Sequence, residues 1–260
     1  MDLGIAGRKA LLFGGSRGMG RALALQLARE GVDVTLVARN RVTLDDAAAA
    51  IRAACPSVQV TVAVGDLTRP EGRAAALDAC PEPDILLNNA DGPLPGDFRQ
   101  WSRDDWIDAL DAMMLGPIEM MRLTVDGMMA RRFGRILNIV SRSVKIPQHE
   151  LGLSNGARSG LVGFTAGLAR QTVAHNVTIN NLLPGLFATD AQRRHVAGLV
   201  EPGGPDFDAL WQARGAAVPA RRFGDPAEFG ACAAFLCSAH AGYITAQNLL
   251  IDGGSYPATY

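Results

Sequence analysis

The chain alternates short, almost wholly apolar runs with longer segments of helical periodicity nearly from end to end. Lys9–Phe13, Asp33–Val37, Val58–Val64, Ile85–Asn88, Ile136–Ser141, Val177–Leu183 and Asn248–Ile251 are rich in Val, Ile and Leu. Unbroken apolarity, in place of an in–out alternation, marks strands buried on both faces, as in a parallel sheet. Between them the spacing predicts helices over Met19–Glu30, Val42–Ala54, Pro70–Ala79, Asp104–Arg132, Gly152–Ala174 and Pro226–Cys237. Pro70 and Pro226 suit a first helical turn, where the missing amide hydrogen costs nothing. A β-α alternation of this kind needs right-handed crossovers and gives an α/β fold, an open doubly wound sheet flanked by helices. No linker, repeat or low-complexity tract interrupts it, so one domain is expected over residues 1–260. Residues 187–220 carry mixed signals around Glu201-Pro202-Gly203-Gly204-Pro205 and are expected to form a substrate lid.

Charge and cysteine content narrow the partners. With 25 basic and 26 acidic residues the net charge is −1, so no basic footprint for nucleic acid or an anionic membrane is present. No apolar run approaches the ~18–20 residues of a membrane span, and the amino terminus lacks a basic segment followed by an apolar one. Cys55, Cys80, Cys232 and Cys237 form no metal-ligand spacing and read as free thiols. The expectation is a cytoplasmic protein without a metal, acting on a small molecule.

Directly after the first strand stands Gly14-Gly15-Ser16-Arg17-Gly18-Met19-Gly20, and a helical pattern begins there. Glycines in a strand–turn–helix context allow a tight turn and close backbone approach to a pyrophosphate, with the helix N-terminus supplying amide donors. The end of the second strand distinguishes the dinucleotide. A carboxylate there would bind the ribose hydroxyl of NAD, but the chain has Val37-Ala38-Arg39-Asn40. Arg39 with Arg17 suits a 2′-phosphate, which favours NADP(H). Asp66, in Gly65-Asp66-Leu67 after the third strand, suits either the adenine amino group or a helix cap.

These residues, with Asn88-Asn89-Ala90, Ser141, Pro184-Gly185 and Asp252-Gly253-Gly254, resemble the short-chain dehydrogenase/reductase family over essentially the whole chain. Within it the chain looks most like bacterial 3-oxoacyl-[acyl-carrier-protein] reductases. The resemblance implies a seven-stranded Rossmann sheet, a nicotinamide cofactor, hydride transfer between carbonyl and alcohol, and a homo-oligomer, tetramer or dimer. It adds Ser16, Gly18, Met19, Gly20, Asn40, Leu67, Asn88, Ala90, Pro184, Gly185 and Thr189 to the cofactor contacts.

The catalytic positions depart from the family pattern. Ser141 matches the family serine, but Ser154 stands thirteen residues on where a tyrosine is expected, and Arg158 stands four further where a lysine is expected. Met113 takes the place of an asparagine on the preceding long helix, Phe13 that of a threonine, and Asp91 that of the glycine after Asn88-Asn89-Ala90. A serine hydroxyl is far less acidic than a phenol of pKa ~10, and an arginine does not give up its proton. Spacing of i and i+4 still puts Ser154 and Arg158 on one helix face, toward the cofactor.

Three outcomes fit that pattern. The chain reduces carbonyls with another acid, for which Lys145 and His149 lie in the loop beside Ser141; or it performs non-redox isomerase, lyase or cyclase chemistry with Asp91 as acid or base; or it binds NADP(H) without turnover. The first leads, because hydride transfer is what an intact nicotinamide site serves. His175 and His240 read as helix-end residues, Met120 and Met128 as core, and Phe187, Trp211 and Phe223 as lid-lining aromatics.

Overall fold

The computed structural model describes residues 1–200 and 203–259; Glu201 and Pro202 of the expected lid lie outside the described residues. Seven strands form one all-parallel sheet: β1 (Lys9–Phe13), β2 (Asp33–Ala38), β3 (Val60–Val64), β4 (Ile85–Asn88), β5 (Gly134–Ile139), β6 (Val177–Pro184) and β7 (Asn248–Ile251). Their order across the sheet is β3-β2-β1-β4-β5-β6-β7. The order reverses between β1 and β4, and a crevice opens at the carboxyl ends of the strands at such a switch point.

The strand residues divide by parity between two cores. Ala10 and Leu12 of β1 pack with α1 (Gly18–Arg29), α2 (Arg41–Ala54) and α9 (Pro226–Leu236), through Leu23, Leu27, Leu44 and Phe229. Leu11 and Phe13 point the other way, onto α3 (Pro70–Ala79), α5 (Gly116–Ala130) and α6 (Gly152–Thr172), through Ala76, Met120, Met128 and Leu161. β5 and β6 are buried along their whole lengths, polar residues such as Arg135, Asn138, Asn180 and Asn181 included.

The helix expected over Asp104–Arg132 is three pieces: α4 (Arg103–Leu110), a π-helical turn at Asp111–Leu115, and α5. Pro117 explains the break. It has no amide hydrogen for the carbonyl of Met113 and its ring crowds that group, so the chain widens and Gly116 N–H bonds Asp111 instead. Met113 is therefore buried in a turn whose geometry a proline imposes. The stretch without a clear sequence pattern contains two further helices, α7 (Asp190–Ala197) and α8 (Phe207–Ala217). Among the described residues no helix is long and apolar enough to cross a membrane, and no cluster of His, Cys, Asp and Glu suits a metal. The cysteines are free thiols, Cys232 half-buried and the other three buried.

Four asparagines that periodicity treats as interruptions fall into register across the sheet. Asn88, Asn138, Asn181 and Asn248 are paired neighbours on β4, β5, β6 and β7. Asn88 donates to Asn138 (2.9 Å), Asn138 to Asn181 (2.9 Å), and Asn181 to Asn248 (2.8 Å) and Thr165 (3.0 Å). A buried amide must be hydrogen-bonded, and a ladder satisfies each one with the next. Asn88 Oδ1, at the crevice end of the ladder, is a buried acceptor that no protein donor reaches.

Candidate active site

The crevice begins at the turn between β1 and α1. Gly14 and Gly18 have φ of +66° and +52°, a region glycine enters freely. A Cβ on Gly20 would lie 2.2 Å from the Gly14 carbonyl oxygen, and one on Gly14 would lie 2.3 Å from Asn89 Nδ2. The bare backbone therefore lines this wall, with Ser16 buried behind it. Arg17 caps α1 in extended geometry without using its side chain on the helix, so the first amides of α1 remain free to bind an anion.

The wall opposite comes from β6. Pro184 ends that strand, Gly185 packs against Asp252, and Thr189 caps α7 by accepting from Gln192 N (3.2 Å). The Thr189 methyl would meet a Cβ on Gly18 at 3.3 Å, so this segment and the glycine turn face each other closely.

Beyond β2 and β3 lie the adenosine-end candidates. Asn40 accepts from Thr43 N (3.1 Å) and is spent as the cap of α2. Burial alone would raise the Asp66 carboxyl. Hydrogen bonds from Thr68 N and Oγ1 (2.9 Å each), with the charges of Arg39 and Arg69, hold it below its ordinary value instead. Leu67 is core, and Met19 packs partly buried against the opposite core. Arg39 is exposed and reaches Asp91 Oδ2 at 3.5 Å. Asp91 thus faces the adenosine end through its side chain, while its charge still acts on Arg158.

At the other end of the crevice the first turns of α6 bring Ser154 and Arg158 together. Both are buried, and Arg158 Nε donates to Ser154 Oγ at 3.0 Å. The other two nitrogens donate to the carbonyls of Ile139 (2.8 Å) and Ala90 (3.2 Å). Arg158 thereby ties α6 to the ends of β4 and β5. Burial pushes its guanidinium down to about 10, partly opposed by the charge of Asp91. It remains a cation at neutral pH, and its three hydrogen bonds go to a hydroxyl and two carbonyls rather than to a carboxylate. A Cβ on Gly92 would stand 3.7 Å from Arg158 Nη2 and 3.8 Å from both Met113 Sδ and Ser154 Oγ. Gly92 therefore fronts the place where these three side chains converge.

Ser141 and the loop after β5 carry the remaining candidates. Ser141 Oγ accepts from Ser143 N (3.1 Å) and its own hydroxyl hydrogen is free to turn outward. Lys145 Nζ sits 5.3 Å from the Tyr256 ring centre. His149 is 99% exposed, with Nδ1 3.2 Å from Glu150 Oε2. It borders a cavity of about 450 Å³ with Gly96, Asp97, Phe98, Arg99 and Glu150. Of the expected lid aromatics, Trp211 stacks between Phe207 (5.8 Å) and Phe223 (4.0 Å), and Arg193 of α7 covers Trp211 at 4.7 Å. Phe187 instead packs edge-on against Phe229 in the core. His175 ends a short helical turn after α6, and His240 reaches the backbone carbonyl of Asp2 at 2.9 Å. The sequence carries only faint traces of the asparagine ladder and the π turn. Matched Asn positions in adjacent strands and the Gly116-Pro117 pair were their only signals.

Comparison with known proteins places this crevice in a family. The family model described as enoyl-(acyl carrier protein) reductase matches residues 14–256. The 3-oxoacyl-[acyl-carrier-protein] reductase FabG of Vibrio harveyi is 33% identical over 260 residues, covering 98% of this chain and 99% of that protein. The NADPH-dependent reductase BacG of Bacillus subtilis is 29% identical over 252 residues, 95% of this chain and 97% of BacG. Among solved structures, the L-sorbose reductase of Gluconobacter frateurii, complexed with NADPH and L-sorbose, superposes with a TM-score of 0.94 at 28% identity and full coverage of both chains. With the glycine turn, the switch-point crevice and a match spanning nearly its whole length, the chain belongs to the short-chain dehydrogenase/reductase family.

Proposed function

We propose that the protein is an NADP(H)-dependent oxidoreductase acting on a carbonyl or alcohol substrate, with Ser154 and Arg158 doing the work of the family's tyrosine and lysine. The glycine turn fits the cofactor, because a Cβ at Gly14, Gly15 or Gly20 would collide with Asn89, Leu12 or Gly14 atoms and the wall there is left as bare backbone. Gly14 to Gly20 and the α1 amides would hold the pyrophosphate, Arg17 and Arg39 the 2′-phosphate, and Asp66 the adenine. Asn88, Ala90 and the segment from Pro184 to Thr189 would border the nicotinamide ribose and carboxamide. The cofactor supplies a hydride equivalent to the carbonyl carbon. NADPH dependence of BacG and NADPH in the sorbose reductase support the choice of cofactor.

The observation that carries the catalytic reading is the Arg158 Nε to Ser154 Oγ hydrogen bond. Because Arg158 fills an acceptor site of that oxygen, the Ser154 hydroxyl hydrogen is left to donate, and a cationic donor makes it a stronger one. The substrate oxygen gathers negative charge as the carbonyl is reduced. A buried guanidinium without a carboxylate partner favours that charge, and Ser141 and Ser154 supply donors for it. Arg158 keeps its own proton, so the proton that ends on the alcohol enters from water through the Ser154 hydroxyl. Asp91, Lys145 and His149 belong to the rim in this reading, and Met113 leaves the floor apolar.

Stacking of Arg193, Trp211 and Phe223 supports α7 and α8 moving as one lid. Exposed Phe235, Tyr243 and Leu249, on α9 and toward the β7 edge, support a homo-oligomer.

The test is NADPH consumption against a panel of ketones and β-ketoesters. Ser154→Ala is expected to lower kcat by about 10²-fold with little change in NADPH affinity, the usual loss for one acid or oxyanion donor. Absence of NADPH turnover with the whole panel, or full activity in Ser154→Ala, overturns the reading.

A further inference from the structure

In the sheet β1 lies between β2 and β4, so the loops carrying Arg39 and Asp91 stand on opposite sides of the glycine turn. The β4 loop is pressed onto that turn, since a Cβ on Gly14 would lie 2.3 Å from Asn89 Nδ2. Across the top, Arg39 Nη2 and Asp91 Oδ2 meet at 3.5 Å, the two side chains 70% and 87% exposed. Asp66 feels the charge of Arg39 as well. The guanidinium expected to receive a 2′-phosphate therefore lies in the field of two carboxylates, one of them in contact. Asp91 stands where the family pattern has a glycine, which could not supply that contact.

We infer that Asp91 is a specificity-determining residue that competes with the cofactor's 2′-phosphate for Arg39, and so restrains the preference for the phosphorylated cofactor over NAD(H). This rests on the cofactor reading above. A 2′-phosphate reaching Arg39 has to displace Asp91 and then keeps that carboxylate as a like-charged neighbour. A neutral 2′-hydroxyl makes no claim on the guanidinium and leaves the ion pair whole. One carboxylate thus weakens binding of one cofactor and spares the other, which is discrimination through a repulsive element.

The experiment measures dissociation constants of NADPH and NADH by nicotinamide fluorescence. The proteins are the wild type, Asp91→Asn, Arg39→Gln and the double variant. Both side chains are exposed, and circular dichroism checks that each variant is folded. Asp91→Asn is expected to tighten NADPH about two- to fivefold, the span of an exposed ion pair, with NADH unchanged. The gain should shrink in 0.5 M salt, where the Debye length is only a few ångströms, and be smaller in the Arg39→Gln background, where only the like-charge repulsion is relieved. Asp91→Glu, which keeps the charge, should bind NADPH as the wild type does. Wild-type protein that binds NADPH but shows no tightening in Asp91→Asn, or equal tightening for both cofactors, overturns this inference alone. Wild-type protein that binds neither cofactor overturns the cofactor reading and this inference with it.

Discussion

A methyl group added to Gly14, Gly15 or Gly20 would meet backbone or amide atoms at 2.2–2.9 Å, whereas one added to Gly92 would stand 3.7–3.8 Å from Arg158, Met113 and Ser154. The glycine turn at the nucleotide end is thus closed by backbone at Gly15 and Gly20 and by the Asn89 amide at Gly14, and has no room for a side chain at those three positions. The reaction end has ordinary van der Waals space, and its character comes from whichever side chains project into it. A site of the first kind changes only if the fold changes. A site of the second kind can exchange a phenol and an amine for a hydroxyl and a guanidinium while strands, helices and glycine turn stay in place.

The sharpest way to break this contrast is to put the same methyl at both ends. Gly20→Ala would drive Cβ into a carbonyl oxygen that belongs to the turn itself, and backbone cannot yield as a flexible side chain can. Overpacking of this kind costs about 1–3 kcal/mol. We expect a lower melting temperature and loss of NADPH binding in a fluorescence titration. Gly92→Ala should melt with the wild type and bind NADPH normally, but raise KM for bulky ketones. Normal NADPH binding by Gly20→Ala would show that the turn has slack the contrast denies.

A second, smaller effect comes from restoring the family pair in Ser154→Tyr with Arg158→Lys. If the reaction end is set by side chains alone, kcat for ketone reduction should rise about ten- to a hundredfold, within the range of a positioned general acid. The dissociation constant of NADPH should move less than about threefold, since backbone holds most of that ligand. A change confined to cofactor affinity would mean that Arg158 serves the ribose rather than the reacting oxygen.

The same contrast governs how much of the fold is written in the sequence. β1, β4, β7 and α3 lie where apolar runs and Pro70 place them: β1 and β4 are buried almost throughout, and such strands have few other ways to be written, while the edge strand β7 is marked by its Leu-Leu-Ile run. The Gly14–Gly20 turn was legible for a related reason: tight backbone approach leaves glycine as the only solution. The break at Asp111–Leu115 was hidden, because Met and Leu continue a helical pattern whether the turn is α or π, and only Pro117 betrays it. α7 was hidden by its polar surface and α8 by its shallow burial: Asp190–Ala197 buries Val196 alone and Phe207–Ala217 only Gly215, too little for a periodic signal. Arg158 was legible as a position but not as an environment. No spacing rule announces that its nitrogens would end on Ser154, Ile139 and Ala90, because two of the three acceptors are backbone carbonyls from other strands.

The smallest effect separates steric from ionic construction by pH. At the start of α9, Arg222 holds Glu228 through two contacts of 2.6 and 2.7 Å, and Glu228 also accepts from Asp225 N to complete a capping box. Those hydrogen bonds, with the charge of Arg222, bring the Glu228 carboxyl down from 4.5 to about 2. A carboxylate whose folded value lies below its unfolded one contributes stability that is fully present above the unfolded value. That contribution fades as pH falls from 4.5 through about 2. Glu228→Gln should therefore be less stable than the wild type at pH 6 in urea melts, and the gap should close progressively between pH 4.5 and 2. Because the pair is exposed to solvent, the gap should also narrow in high salt. The deficit of Gly20→Ala, a collision between uncharged atoms, should hold constant over the same pH interval. If both deficits faded together in acid, the glycine turn would owe its stability to charge after all, and the claim that close backbone approach holds it would fail.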